Sequence, residues 1–169
     1  MHVIGIVGWK NSGKTTLVVE LVRLLTERGL KIGTIKHAHH SFDIDQPGKD
    51  SYRHREAGAT DVIVASGARW AQVHELRGGA EPELADLLPR ISPDTDIVLV
   101  EGFKRDPHDK IEVVPPDFDG RLLTLDDPYV IALASDAPGL PPVTVPVLRR
   151  SDPAQVANFI LEHLGLGTV

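Results

Sequence analysis

The segment Gly8-Trp9-Lys10-Asn11-Ser12-Gly13-Lys14-Thr15 has the spacing G-x-x-x-x-G-K-[ST]. Glycines at those two positions let the backbone curl until successive amides, through Lys10, Asn11 and Ser12, point inward at an anion. The helix that follows adds the positive end of its dipole. In such a cradle Lys14 spans the β- and γ-phosphates, the Thr15 hydroxyl takes a Mg2+ position and Thr16 donates to the α-phosphate. The chemistry this implies is the holding of a nucleoside triphosphate.

A phosphate loop needs a strand to deliver it and a helix to leave it, and both are legible. Residues 3–7 are a continuous apolar run, the mark of a strand buried on both faces. Over residues 14–28, Leu17, Val18, Leu21, Val22 and Leu25 recur at helical spacing, and Gly29 stands where a left-handed cap is wanted. The period goes on alternating between two and 3.6, which predicts a mixed α/β domain. Strands are expected over 31–35, 62–65, 97–100, 111–114, 130–134 and 143–147, the last weakened by Pro146. The run 97–100 is the most apolar and is expected at the centre of the sheet. Short helices are expected over 50–57 and 83–88, and a hairpin joins 62–65 to 69–76 through Ser66-Gly67. A terminal helix follows, with Ser151 as N-cap, Pro153 in its first turn and Gly165 as its stop.

Ligands of open α/β sheets bind beyond the carboxyl ends of the strands, so parallel neighbours of the first strand deliver their residues to the phosphate edge. Asp96 and Glu101 flank residues 97–100, and only Glu101 lies at that end. Glu101 is therefore the candidate for the Mg2+ shell or for orienting the attacking water, and Asp96 reads as a loop residue. After the second strand comes Lys36-His37-Ala38-His39-His40-Ser41-Phe42-Asp43-Ile44-Asp45. This polar stretch reads as a switch segment ordered by the γ-phosphate and Mg2+. Asp43, Asp45 or Asp50 would meet the metal's water shell, and His37, Lys49 or Arg53 anionic groups. The competing reading is a transition-metal site at His37, His39 and His40, although H-x-H-H lacks helical ligand spacing and no cysteine supports it. Base identity stays open. A guanine-reading N-K-x-D is impossible with asparagine only at Asn11 and Asn158, but Asp136, after 130–134, could accept from two donors on guanine. Turn or capping chemistry is its other reading.

With 169 residues, one domain spanning 1–169 is expected, long enough to bury a core without disulfides or a structural metal. Eighteen basic against twenty-four acidic side chains leave a net charge of −6, which argues against nucleic acid as principal partner. Cysteine is absent, which removes thiol catalysis, iron–sulfur clusters and Cys-based zinc sites and suits a reducing cytoplasm. The amino-terminal apolar run is too short for a signal peptide and no stretch is long enough to cross a bilayer, so a cytoplasmic location and no membrane association are expected.

Taken together, the phosphate loop through Thr16, Thr34-Ile35-Lys36-His37-Ala38-His39-His40, Asp43-Ile44-Asp45-Gln46-Pro47-Gly48-Lys49-Asp50-Ser51, Tyr52-Arg53-His54-Arg55-Glu56-Ala57-Gly58-Ala59 and Val100-Glu101-Gly102-Phe103-Lys104 resemble the MobB family, the molybdopterin-guanine dinucleotide biosynthesis proteins B. The resemblance spans nearly the whole chain, and the histidine segment running into Arg-Glu-Ala-Gly is its specific part. It implies a P-loop NTPase-like three-layer fold, a mostly parallel sheet flanked by helices, with the hairpin added. It also implies a homodimer, GTP and Mg2+ binding and weak intrinsic hydrolysis. The implied role is that of an accessory to the guanylyltransferase MobA, which joins GMP to molybdopterin. A related class carries a signature lysine directly after the first glycine of its loop. Trp9 holds that position, so Lys10 is given no cross-subunit catalytic role.

Three other functions compete. A small-molecule kinase would use the same loop but needs an arginine-rich lid, and Arg149-Arg150 is the only adjacent arginine pair. A nucleotide-gated adaptor would carry molybdopterin or recruit apo-molybdoenzymes without useful chemistry, and a metallochaperone would use the histidine cluster. In the leading reading Lys14 and Glu101 are the catalytic candidates, and Thr15, Glu101 and Asp43 the metal ligands. No arginine finger can be assigned beyond the candidates Arg53 and Arg55.

Overall fold

The computed structural model describes residues 1–38 and 42–167. In chain order its strands and helices are β1 (His2–Val7), α1 (Lys14–Glu27), β2 (Ile32–Lys36), α2 (Asp50–Glu56), β3 (Asp61–Ala65), β4 (Trp70–His74), α3 (Leu84–Leu87), β5 (Ile97–Glu101), β6 (Lys110–Val114), β7 (Val130–Ser135), β8 (Val147–Leu148) and α4 (Pro153–His163). Two compact units result. One comprises Met1–His37 with Leu84–Val169, the other Ala38–Glu83.

The larger unit is the mostly parallel sheet flanked by helices that the sequence predicts. Its strand order is β2-β5-β1-β6-β7-β8, and every pairing is parallel. Alternation along β5 explains the layers. Ile97 and Leu99 join Ile4, Ile6 and the buried stripes of α1 (Leu17, Val18, Leu21, Leu25) and α4 (Val156, Ala157, Ile160, Leu161). Val98 and Val100 turn to the opposite face, against Ile35, Leu84 and Phe103. Parallel strands covered on both faces must be apolar throughout, and β1 and β5 are.

Three sequence expectations are corrected within this unit. The centre of the sheet belongs to β1, flanked by β5 and β6, and β5 owes its apolarity to being covered on both faces. The strand expected over 143–147 shrinks to Val147–Leu148. Pro146 has no amide to give a ladder and contributes only its carbonyl, which accepts from the Leu133 amide at 2.9 Å. The N-cap of α4 is Asp152, whose carboxylate accepts the Gln155 amide at 3.0 Å, while the Ser151 hydroxyl turns to Asp136.

One face of β6 is covered by loops, and loops bring backbone groups that need partners. Two buried charged residues supply them. Glu112 accepts from the amides of Leu123 and Thr124, both at 2.9 Å, and from the Thr124 hydroxyl at 2.7 Å. The Lys110 ammonium donates to the carbonyls of Lys104 (3.1 Å) and Asp106 (2.7 Å) and pairs with Asp127 at 2.7 Å. Both ring nitrogens of His108 are buried without a hydrogen-bond partner beside Gly5, where a Cβ would stand 2.5 Å from Nε2. Burial, reinforced by the Lys110 charge, lowers the pKa of His108.

In the smaller unit β3 and β4 form the expected antiparallel hairpin, with Ala65 opposite Trp70 and Asp61 opposite His74. Its polar centre is Arg55 of α2. Its guanidinium donates to both carboxylate oxygens of Asp43, at 3.0 and 2.8 Å, and lies 3.6 Å from Asp45 and 3.4 Å from Glu75.

Two outcomes are expected in urea unfolding. Glu112→Ala strands two part-buried amides and lowers stability by about 3 kcal/mol, and a loss below about 1 kcal/mol would contradict the assigned role. For His108 the folded pKa lies below the ordinary value of about 6.5, so the unfolded chain binds more protons between the two. This contribution to stability is complete above the unfolded pKa and is lost as pH falls toward the folded one. His108→Gln flattens that part of the stability–pH curve.

Candidate nucleotide site

Parallel register brings the strand ends level. Lys36 on β2 and Ile6 on β1 are both paired with Glu101 of β5, so Gly8, His37 and Gly102 begin their loops at one edge. Gly8 is fixed there by space: its φ is +142°, and a Cβ would meet the Val113 carbonyl oxygen at 2.4 Å. Asn11 (φ +62°) and Gly13 (φ +91°) complete the curl in left-handed backbone, which glycine adopts freely and asparagine tolerates. Gly13 is the N-cap of α1, and Ser12 is fully buried. Lys10, Asn11, Thr15 and Thr16 are exposed around it.

The decisive contact joins residues 86 positions apart: the Thr15 hydroxyl donates to Glu101 Oε1 at 2.8 Å. Glu101 therefore stands at the phosphate loop, as its place at the carboxyl end predicts. Asp96 lies at the other edge, where its carboxylate accepts the Lys31 amide at 2.8 Å. Two hard oxygens 2.8 Å apart fit Mg2+, whose neighbouring ligands stand about 3.0 Å apart when bonds of ~2.1 Å meet at right angles. One carboxylate does not hold this ion alone, and no cluster of three or more His, Cys, Asp or Glu suited to a metal exists among the described residues. Phosphate oxygens and water would complete the shell.

Lysines converge on the same place. Lys14 Nζ donates to the Trp9 carbonyl at 2.7 Å and lies 3.5 Å from Ser12 Oγ. Burial lowers its pKa; Glu101 opposes that shift, and the charges of Lys104 and Lys36 add to it. Lys36 Nζ lies 3.4 Å from Thr15 Oγ1 and 3.3 Å from Glu101 Oε1. Lys104 sits over the Trp9 ring, 4.5 Å from its centroid, and Phe118 stacks on that indole at 6.4 Å.

His37 follows β2 directly. Its amide donates to the Glu101 carbonyl at 2.8 Å, its ring lies 4.8 Å from that of Phe103, and its Cβ is what a side chain at Gly102 would strike, at 2.7 Å. His39 and His40 lie outside the described residues. Asp43 belongs to the smaller unit and has both oxygens engaged by Arg55. Asp136 follows β7 at the same edge as the phosphate loop, and its carboxylate is occupied: Oδ1 accepts the Ser151 hydroxyl at 2.9 Å and amide at 3.3 Å, and Oδ2 lies 3.6 Å from Arg150 Nε. Partial burial opposes its ionisation, yet those bonds and the Arg150 charge leave its pKa lowered. Arg150 in turn donates to the Ser12 carbonyl at 3.1 Å. Asp136, Arg150 and Ser12 thus form a strut from the end of β7 to the phosphate loop.

Residues 3–136 match the profile of the family described as molybdopterin guanine dinucleotide synthesis protein B. The chain belongs to the MobB family. It is 41% identical over 158 residues to the molybdopterin-guanine dinucleotide biosynthesis adapter protein of Escherichia coli, covering 92% of this chain and 89% of that one. The namesake from Haemophilus influenzae is 40% identical, with 93% and 86% covered. Among solved structures, the MobB homolog of Bacillus stearothermophilus superposes with a TM-score of 0.76 at 25% identity, covering 99% of this chain and all of the other.

Three residues at the site of this MobB chain, Lys36, Arg150 and Lys104, are not among the candidates that the sequence offers. The strand expected over 31–35 ends one residue short of Lys36 and leaves it in a loop. Arg150 lies 138 residues from its contact, and Lys104 enters only within the motif over 100–104. The usable signal was position: Lys36 immediately precedes His37 at a strand's carboxyl end.

Substituting Gly8 by Ala combines positive φ with a backbone collision and is expected to cost about 3 kcal/mol. Gly29→Ala, with φ +85° and open space around it, is expected to cost about 1 kcal/mol. Equal thermal shifts for the two variants would show that the Val113 carbonyl does not confine Gly8.

Proposed function

We propose that this chain binds GTP with Mg2+, hydrolyses it slowly, and serves molybdopterin guanine dinucleotide biosynthesis as an accessory to the guanylyltransferase MobA. The observation that carries the reading is the Thr15–Glu101 contact at 2.8 Å beside a curled G-x-x-x-x-G-K-[ST] loop. It pairs a hydroxyl and a carboxylate where a triphosphate's metal is held in this class of site. Thr15 and Glu101 are the proposed metal residues. Magnesium bound there would neutralise charge on the β- and γ-phosphate oxygens.

The chain's own residues do the rest. Amides from Gly8 to Gly13 receive the phosphates, the Lys14 ammonium leaves the Trp9 carbonyl for the β- and γ-oxygens, and Thr16 donates to the α-phosphate. Glu101 also stands where it can orient a water, and His37 is held beside it by the Glu101 carbonyl. Of the two arginine candidates, Arg55 already has carboxylate partners and Arg53 is exposed, 4.0 Å from Asp50, so slow hydrolysis is the expectation of this reading. The adapter naming of the relatives supports an accessory role; apo-molybdoenzymes, molybdopterin and a second copy of the chain are further proposed partners, in the cytoplasm. No helix among the described residues is long and apolar enough to cross a membrane.

Calorimetry of GTP against ATP, with and without Mg2+, tests the reading. GTP is expected to bind more tightly, Mg2+ to strengthen binding, and Lys14→Ala to abolish it. Equal affinity for the two bases removes the guanine assignment, and unaided turnover on the kinase scale of about 1–100 per second removes the accessory role. Asp136→Ala separates the two uses of that carboxylate. Loss of base discrimination marks a guanine contact, whereas equal weakening of both nucleotides marks the strut to Ser12.

A further inference from the structure

The Lys36 ammonium bridges the two residues assigned to the metal. Its Nζ, Thr15 Oγ1 and Glu101 Oε1 form a triangle with sides of 3.4, 3.3 and 2.8 Å. Two of these groups are fixed. Thr15 sits in the first turn of α1, and the Glu101 side chain, at the end of an inner strand, is only 12% exposed. Lys36 is not fixed: its side chain is 58% exposed and hangs from the edge strand β2 on four methylenes.

The charges are unbalanced. The charges of Lys104 and Lys36 both act on Lys14 at this loop, and Glu101 is the carboxylate that acts on it. Arg150, the next cation along, already faces Asp136. A site with such a surplus is built to receive an anion carrying several charges. When a divalent cation takes the oxygens of Thr15 and Glu101, Lys36 loses its partner, and the nearest replacement is the phosphate group that shares the metal.

We propose that Lys36 is a tethered counter-cation of the nucleotide site. Before binding, it offsets the charge of Glu101 beside Thr15; when magnesium and triphosphate arrive, it moves onto the terminal phosphate. This rests on the triphosphate reading above and adds to it a residue that senses the γ-phosphate.

The experiment uses the full chain, wild type, Lys36→Met and Lys36→Arg, with thermal melts to establish that all three fold. The β,γ-imido triphosphate and the diphosphate of the preferred base are titrated calorimetrically with Mg2+. Lys36→Met is expected to reduce the preference for triphosphate over diphosphate by about tenfold or more, and Lys36→Arg to restore most of it. An unchanged preference in Lys36→Met overturns the proposal, while the triphosphate reading survives that result. Failure of the wild type to bind any nucleotide removes both.

Discussion

The site depends on β1 lying in parallel register between β5 and β6. That register sets Gly8 beyond Val7 at the level of Glu101 and, through β5, at the level of Lys36. It also presses the first turn of the loop against the Val113 carbonyl, so that only glycine fits. Parallel strands carry evenly spaced, slanted hydrogen bonds, and a slip of one residue would turn every side chain to the opposite face. Ile97 and Leu99 pack on one side and Val98 and Val100 on the other, so a slip would exchange larger and smaller side chains between the two cores. Core packing therefore fixes the distance between a hydroxyl and a carboxylate 86 residues apart.

What was legible in the sequence is what sequence spacing encodes directly. The phosphate loop, the helical stripe of α1, the hairpin and the position of Glu101 each follow from local order and one rule about strand ends. Contacts that depend on register or on loop packing were not legible. Lys36 becomes a site residue only once β2 lies beside β5, and strand neighbours are not written in either segment. Arg150 reaches Ser12 because the terminal helix packs beside α1, which brings its N-terminal loop to the phosphate loop. The N-cap moved from Ser151 to Asp152 for the same reason: a second acceptor, Asp136, attracted the serine hydroxyl.

Charged residues inside β6 show a related failure. By alternation, Lys110 and Glu112 share a face opposite Ile111 and Val113, and such a pattern normally marks a solvent-facing surface. Here the face is buried under the loop of Lys104 and Asp106 and the first turn of a short 3-10 helix (Leu123–Leu125), and the charges satisfy the free carbonyls and amides there. A long helix laid along β6 would have satisfied most of its own backbone and left the strand free to be apolar. Covering the strand with loops demands ionic partners, and one of those loops carries Phe118 and Arg121 to the Trp9 side of the phosphate loop. The buried polar network and the flank of the site are therefore one construction.

The net charge of −6 gains meaning from this arrangement. Averaged over the surface it repels polyanions, but the carboxyl edge of the sheet gathers Lys14, Lys36, Lys104 and Arg150 against Glu101 and Asp136. Burial destabilises the ammonium of Lys14, and the charges of Lys104 and Lys36 add to that. In the proposed reading a triphosphate would supply the missing counter-charge, and that relief would count toward binding only for a ligand with enough negative charge. A mononucleotide phosphate would leave part of the surplus unanswered. In that reading discrimination is by charge number, set by lysines that the fold brings together, ahead of any contact with the base.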